Sequence, residues 1–385
     1  MSLWLLGLTA GHTLNDLYGQ VLPPLLPALR AAFGFSYFQG GILAFTAGGI
    51  SAALQPVVGY VADRRGARRP VLALGFLLYA VGMLALSLAG NYTGLLLAAV
   101  VLALASTTYH PQATTLIAHR FPQARGWASG IHGIGNSIGF ALAPIIVATL
   151  AERLGWQQAS LLLALPAAFG AVYIWVLVRE PRGRSEPGLL AGITRPLILL
   201  TAVHGLIGTA GIGIFTWLPT YFVHLGRSLS GAGLLTAIAL TAGTPAQPLG
   251  GVISDRFGRR NLLVWACLLL TVVVILFAAA GSDLSPFAGT AQIAALVACA
   301  FAVQFATSLT PPVALVYAAE LAPGGRSGTA VGMMWGVGIA VGALAAPLTG
   351  ILIDVAGFTP AFLSMAGAAL LGAIVARRLP RPTAR

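Results

Sequence analysis

Asp16 is the residue whose type and position most clearly indicate chemistry. It is an acid near the middle of an apolar stretch over residues 3–30, with His12 and Gln20 four residues to either side. Because helical residues four positions apart lie on one face, the three side chains are expected to face the same way. An apolar setting favours the neutral form of a carboxyl, so Asp16 is predicted to bind and release a proton. The alternative is a carboxyl that only orients the helix by hydrogen bonding.

Three further histidines, His110, His132 and His204, also lie in apolar stretches. Imidazoles titrate between about pH 5 and 8, which suits proton exchange, although a hydrogen-bonded core histidine is the simpler alternative. We predict that His110 joins His12 and Asp16 in proton coupling. No thiolate or second carboxylate accompanies the histidines, so we predict neither a metal site nor a cofactor.

The elements that position these side chains are predicted to be membrane-spanning helices, because 58% of the residues are hydrophobic and only 8% are charged. Several apolar stretches reach 18 residues or more, enough for a helix to cross a hydrocarbon core about 30 Å thick. Charged and Gly/Pro-rich segments divide the chain into twelve predicted spans: 3–30, 36–62, 70–89, 93–118, 126–151, 157–178, 196–223, 229–254, 261–280, 288–319, 327–353 and 359–377.

Arginine placement predicts the orientation of these spans. The 21 basic residues are all arginine, and 18 of them fall at the ends that follow even-numbered spans. By the positive-inside rule, both termini are predicted to lie in the cytoplasm, with the chain in a bacterial cytoplasmic membrane. The arginine clusters lack interleaved aromatic residues, which excludes nucleic acid and favours lipid phosphates as their partners.

The chain carries an internal repeat. The string from Gln55 to Gly66 recurs 192 residues later, from Gln247 to Gly258. We therefore predict an all-α membrane protein of twelve transmembrane helices in two pseudo-symmetric six-helix bundles, 1–178 and 196–385, joined by a cytoplasmic linker at 179–195. No nucleophile, metal or cofactor constellation is assembled, so the chain is not predicted to be an enzyme.

Two copies of one motif carry a family resemblance. The first copy contains Gly59, Asp63, Arg64, Gly66, Arg68 and Arg69, and the second contains Gly251, Asp255, Arg256, Gly258, Arg259 and Arg260. Over essentially its whole length the chain resembles the major facilitator superfamily. Within it, Gly11–Asp16 and Tyr109-His110-Pro111 resemble the fosmidomycin-resistance-like drug exporters. The predicted conformational gate at the cytoplasmic ends is Gly59, Asp63, Arg64, Arg68, Gly251, Asp255, Arg256 and Arg259.

The resemblance also implies a cavity between spans one, four, seven and ten, and a function. The candidate substrate-binding residues are Asn15, Gln20, Tyr109, Gln112, His132, Asn136, His204, Trp217, Tyr221, Gln304 and Thr307. We expect a monomer that exports a small organic molecule or drug in exchange for protons by alternating access. Proton-coupled uptake or facilitated entry of a metabolite is the alternative, and a lipid flippase is a further one.

Overall fold

The structure is a computed structural model that describes residues 3–178, 193–322 and 327–380. Within these ranges the chain is helical and contains no strand. The helices before the predicted linker are α1 (Leu3–Gly19), α2 (Leu22–Phe33), α3 (Tyr37–Arg65), α4 (Arg68–Ser87), α5 (Tyr92–Ser106), α6 (Tyr109–Arg120), α7 (Arg125–Leu154) and α8 (Trp156–Leu177). Those after it are α9 (Arg195–His224), α10 (Leu229–Leu240), α11 (Gly243–Phe257), α12 (Arg259–Ala280), α13 (Gly289–Ser308), α14 (Pro311–Leu321), α15 (Ser327–Ala343), α16 (Ala345–Ala356) and α17 (Phe358–Ala376).

Each of the twelve predicted spans corresponds to one helix or to a pair of consecutive helices. Among the described residues, 11 helical segments are long and apolar enough to cross a membrane. The span predicted at 3–30 is not one of these 11 segments. A break after Gly19 divides it into two shorter helices, α1 and α2, and α2 has proline in its first turn. The chain is therefore an all-α membrane protein, as its sequence predicts.

The breaks within spans occur where the backbone hydrogen-bond ladder is interrupted. Span four breaks after Ser106. The next helix, α6, begins at Tyr109, and its first turn contains His110 and Pro111. Span ten breaks in the same way before Pro311. Proline has no N–H to donate and is tolerated in the first helical turn, so a new helix can begin there. The break in span four places His110 in the first turn of α6.

The described chain divides into two compact units. One contains Met1–Phe35, Leu43–Leu189 and Phe222–Ala237, and the other contains Ser36–Ile42, Leu190–Tyr221 and Ile238–Arg385, within the described ranges. Residues 179–192 of the predicted linker lie outside the described residues. The two bundles predicted at 1–178 and 196–385 stay a prediction.

Glycines on α7 bring α1 close enough to form the candidate site. A Cβ added to Gly135 would lie 2.5 Å from the Thr9 carbonyl oxygen, and one added to Gly139 would lie 2.5 Å from the Thr13 carbonyl oxygen. Such distances leave no room for a side chain, so only glycine permits this approach. Because α1 lies directly on α7, Asp16 is within reach of polar side chains from both helices.

Candidate functional site

The Asp16 carboxylate lies inside the first unit and accepts hydrogen bonds on both oxygens. Asp16 is only 3% exposed. The Asn15 amide donates from Nδ2 to Oδ1 at 2.7 Å, and Asn136 on α7 donates from Nδ2 to Oδ2 at 2.5 Å. A buried carboxylate is expensive unless such donors satisfy it. Both oxygens of the buried Asp16 carboxylate are therefore satisfied by amide donors.

Two imidazoles face the same carboxylate. His12 Nε2 lies 3.2 Å from Oδ2 of Asp16, as the four-residue spacing predicts. His110 Nε2, from the first turn of α6, lies 3.4 Å from Oδ1. The His110 side chain is 34% exposed, whereas that of His12 is 8% exposed. His110 is thus the most accessible member of the three-residue group His12, Asp16 and His110, which we call the acid–imidazole cluster.

His12 has a fixed orientation. Its Nδ1 lies 2.8 Å from the backbone oxygen of His132, which can only accept a hydrogen bond, so Nδ1 carries a hydrogen. The His12 ring stacks on the His132 ring with centroids 4.2 Å apart, and on Tyr109 at 5.5 Å. The Tyr109 hydroxyl donates to the Leu8 backbone oxygen. These contacts aim Nε2 of His12 at Asp16.

The acid–imidazole cluster could also offer ligands to a metal ion. One atom each from His12, Asp16 and His110 lies within 4.8 Å of the others. Each Asp16 oxygen accepts one N–H group, from Asn15 or from Asn136, and each keeps a second lone pair. Divalent metals need bare oxygen and nitrogen lone pairs at about 2.0–2.2 Å. The cluster thus offers three candidate ligands, and the predicted lack of a metal site stays a prediction.

Two predicted residues of the first unit lie beside the cluster rather than in it. Gln112 on α6 is completely buried, and its amide has no hydrogen-bond partner among the described residues. Gln20 lies in the turn after α1, where its backbone N–H donates to the Asp16 backbone oxygen. No side-chain contact between Gln20 and Asp16 is found in the part of the chain that the structure describes.

The second unit contains the remaining candidate substrate-binding residues. His204 on α9 stacks on Trp335 of α15, with ring centroids 5.1 Å apart. Trp217 and Tyr221 are buried and donate to the backbone oxygens of Ala346 and Gly281, respectively. The other two lie on α13, where Gln304 donates to Ser308 and the Thr307 hydroxyl donates to backbone oxygens of its own helix. All of these contacts lie within the second unit.

The first copy of the motif lies at the turn between α3 and α4. Gly66 follows α3 with a φ of 62°, in the left-handed region that favours glycine. A Cβ on Gly59 would approach Pro111 of α6 to 3.1 Å, so this glycine allows α3 to lie close to α6. Arg68 is buried at the start of α4, and Arg64 is exposed and donates to Tyr60. The predicted role of the Asp63 side chain falls outside the described residues.

The second copy of the motif forms a charged group on the surface. Gly258 separates α11 from α12 with a φ of 87°, and Gly251 and the exposed Arg256 lie on α11. Arg259 lies 3.0 Å from Asp255 and 2.8 Å from Glu320 of α14. Arg259 thus links the end of α11 to α14 through two carboxylates.

Sequence reasoning missed four residues that make specific contacts. Tyr79 on α4 donates to Asn15, and Trp335 stacks on His204. Glu320 binds Arg259, and Asp354 accepts the first backbone N–H groups of α3. Glu320 and Asp354 could have been found, since the chain has only nine acids. Nothing in the sequence distinguishes Tyr79 or Trp335 from other aromatic residues of apolar helices.

A family model for the Major Facilitator Superfamily matches residues 8–287 and 224–385, which is nearly the whole chain. The chain belongs to the Major Facilitator Superfamily. Members of this superfamily are transporters that carry small molecules.

Two relatives and one solved structure illustrate the similarity of this superfamily member to others. The uncharacterized MFS-type transporter YfnC of Bacillus subtilis (strain 168) is 28% identical over 389 residues, which cover 96% of this chain and 90% of YfnC. The fosmidomycin resistance protein of Escherichia coli (strain K12) is 25% identical, over 90% of this chain and 85% of that protein. The crystal structure of the nucleoside transporter NupG superposes with a TM-score of 0.78 at 16% identity, covering 98% of this chain and 99% of NupG. This last similarity concerns the fold alone.

Proposed function

We propose that this transporter exports a small organic molecule in exchange for protons, and that the acid–imidazole cluster binds and releases the proton. The observation that carries the proposal is the contact of one buried carboxylate with two imidazole nitrogens, at 3.2 and 3.4 Å. The His110 side chain is partly exposed and offers a proton a route to the buried Asp16. Membership of the superfamily indicates transport, and the acid–imidazole cluster is the group that we propose couples transport to protons.

The geometry of His12 supports a proton at this position. Its Nδ1 hydrogen is committed to the His132 backbone oxygen, so Nε2 either bears a second hydrogen or presents a lone pair to Asp16. A lone pair 3.2 Å from a carboxylate oxygen is repulsive, because both atoms are acceptors. A proton held between them removes the repulsion. The two groups therefore act as a coupled pair that gains and loses protons together.

Rings and amides around the cluster support an organic cargo. The rings of His132, His12 and Tyr109 form one stack, in which the rings of Tyr109 and His132 are 5.9 Å apart. Small-molecule sites are commonly built from aromatic faces with a few convergent polar groups. We propose that Gln112 and Asn136 provide the polar contacts, and that in the second unit His204, Gln304 and Thr307 provide further ones.

The direction and placement of transport are also part of the proposal. Export is supported by similarity over most of the chain to a protein named for fosmidomycin resistance. The arginine distribution supports cytoplasmic termini, with the two motif copies at the cytoplasmic side, in a bacterial inner membrane. We propose a monomer whose two bundles, 1–178 and 196–385, alternate access to the cargo, and whose motif arginines also contact lipid phosphates.

The test compares Asp16→Asn with Asp283→Asn, which removes an acid from the exposed turn after α12. Everted and right-side-out membrane vesicles carry an imposed pH gradient, and a panel of labelled small molecules that includes fosmidomycin is supplied. Wild type and Asp283→Asn should accumulate cargo in everted vesicles, whereas Asp16→Asn should fall to the level of empty membranes. Full pH-driven accumulation by Asp16→Asn would refute the coupling role. Accumulation only in right-side-out vesicles would indicate uptake, and no pH-driven accumulation in either orientation would refute export of these molecules.

A further inference from the structure

Tyr79 connects α4 to the cluster through one side chain. It is 1% exposed, and its hydroxyl donates to the Asn15 amide oxygen at 3.2 Å. The backbone oxygen of Asn15 lies 3.3 Å from the same hydroxyl. The amide nitrogen of Asn15 in turn donates to Asp16 Oδ1 at 2.7 Å. A chain of hydrogen bonds therefore runs from Tyr79 through Asn15 to Asp16.

The orientation of the Asn15 amide decides whether its N–H groups or its oxygen face the Asp16 carboxylate. In the observed orientation the amide presents N–H groups to the carboxylate and its oxygen to Tyr79. If the amide turned over, its oxygen would face a carboxylate oxygen at hydrogen-bond distance, and two acceptors would repel each other. The carboxylate selects the observed orientation, and the Tyr79 hydroxyl stabilises it by giving the amide oxygen a donor on the side away from Asp16.

We propose that Tyr79 is a positioning residue for proton exchange, which it controls by holding the Asn15 amide with its N–H groups toward the ionised Asp16. The inference rests on the proposed function of Asp16. It adds a residue on a fourth helix, α4, that touches neither the carboxylate nor the imidazoles. Its hydroxyl is linked to the carboxylate through the Asn15 amide.

Tyr18 provides a matched control for this role. Its ring stacks on the Tyr79 ring with centroids 4.9 Å apart, and it is 2% exposed. Its hydroxyl donates to the Leu163 backbone oxygen at 2.6 Å rather than to Asn15. Replacing either tyrosine by phenylalanine removes one buried hydroxyl and keeps the ring. Only the Tyr79 substitution should release the Asn15 amide.

The experiment measures the infrared carboxylate band of Asp16 in the purified full-length protein. The band is identified by its loss in Asp16→Asn. We expect a resolved shift of this band in Tyr79→Phe and no shift in Tyr18→Phe. Asn15→Leu, which removes the amide and keeps the volume, should also shift the band. Adding Tyr79→Phe to Asn15→Leu should then have no further effect, because the two act along one path.

Each outcome decides the inference separately from the proposed function. An unshifted band in Tyr79→Phe, or equal shifts in the two tyrosine variants, overturns the inference whatever happens to transport. A spectrum in which Asp16→Asn loses no carboxylate band also overturns it, because Asp16 is then not ionised. If Asp16→Asn keeps full pH-driven transport but the band shifts as expected, the positioning stands and the proposed coupling fails.

Discussion

The two halves of the chain share a helix-packing pattern, but only the pair α1 and α7 contains an acid, whereas the pair α9 and α15 contains none. In the first half, Gly139 of α7 lies against Thr13 and Asp16 of α1; in the second, Gly342 of α15 lies against Gly208 of α9. A ring stack accompanies each pair: His12 on His132 in one half, and His204 on Trp335 in the other. The repeat has thus kept both the glycine contact and the aromatic contact.

The polar groups differ between the halves. At the 192-residue offset, Asn15 and Asp16 correspond to Ile207 and Gly208. At the 201-residue offset, His110 corresponds to Pro311. The second pair packs without an acid or its donors, so this packing does not require them. A central Asp costs about 2.5–3.5 kcal/mol on insertion scales, and a cost that packing does not require points to function.

The largest effect should come from exchanging the two equivalent histidines for glutamine. His12→Gln should abolish pH-driven export, because an amide cannot bind a proton near neutral pH and the cluster then loses its coupled partner. His204→Gln should retain pH-driven export and only raise KM for the cargo, because no acid among the described residues lies beside it. The measurement is the initial rate of export against cargo concentration at several values of pH in everted vesicles.

Two results would break this contrast. Equal losses of pH dependence in the two variants would show that the halves contribute equally to coupling. A change in KM alone for His12→Gln would move His12 from proton exchange to cargo binding. Immunoblots of the vesicles control for the amount of inserted protein in each variant.

The fold was predictable from the sequence because its determinants are local. Apolar length sets each span, charged loops separate the spans, and the repeat around Asp63 and Asp255 reveals the duplication. The breaks after Gly19 and Ser106 were not predicted, since hydropathy averages over a window and does not register the loss of one or two backbone hydrogen bonds.

Helical spacing predicts a contact only where the residues share a helix, and His110 was assigned to the cluster by its residue type rather than by spacing. His12 and Asp16 meet because they are four residues apart on α1. The approach of His110 and Asn136 depends on how α6 and α7 pack against α1, which no spacing within a helix records. The contact of Tyr79 with Asn15 could not be predicted either, because it depends on where one hydroxyl of α4 points relative to α1.

The glycine contacts should differ in how well they tolerate a methyl group. Gly139→Ala places its Cβ 2.5 Å from the Thr13 oxygen and 3.0 Å from Asp16 Cβ, so α1 must move. We expect a destabilisation of about 1–3 kcal/mol, the usual range for overpacking. Gly342→Ala meets its nearest atom at 3.0 Å, and the helix propensity of alanine offsets the crowding by about 0.5–1 kcal/mol, so its net effect should be small.

Thermal unfolding in detergent measures both glycine variants. The expected order is a clear loss for Gly139→Ala and a midpoint near that of wild type for Gly342→Ala. Gly130→Ala on α7, where an added Cβ would contact nothing within 4 Å, is the control for helix propensity alone. A Gly139→Ala protein as stable as Gly130→Ala would show that α1 is not held tightly on α7.

The smallest effect concerns a feature that the two halves share, a carboxylate at the start of a helix. Asp354 accepts the backbone N–H groups of Tyr37 and Phe38 at 2.9 and 2.8 Å, where α3 begins. Glu152 accepts the single N–H of Ser230 at 2.5 Å, where α10 begins 192 residues after α3. Carboxylates favour helix N-termini because they satisfy free donors and complement the helix dipole.

Asp354→Ala should therefore cost about 1 kcal/mol of unfolding free energy. Glu152→Ala should cost less, because it releases one backbone N–H at the helix start rather than two, and the two losses should add in the double variant. Thermal unfolding at low and high salt checks this order, and a larger loss for Glu152→Ala would show that the two ends are held by different contacts.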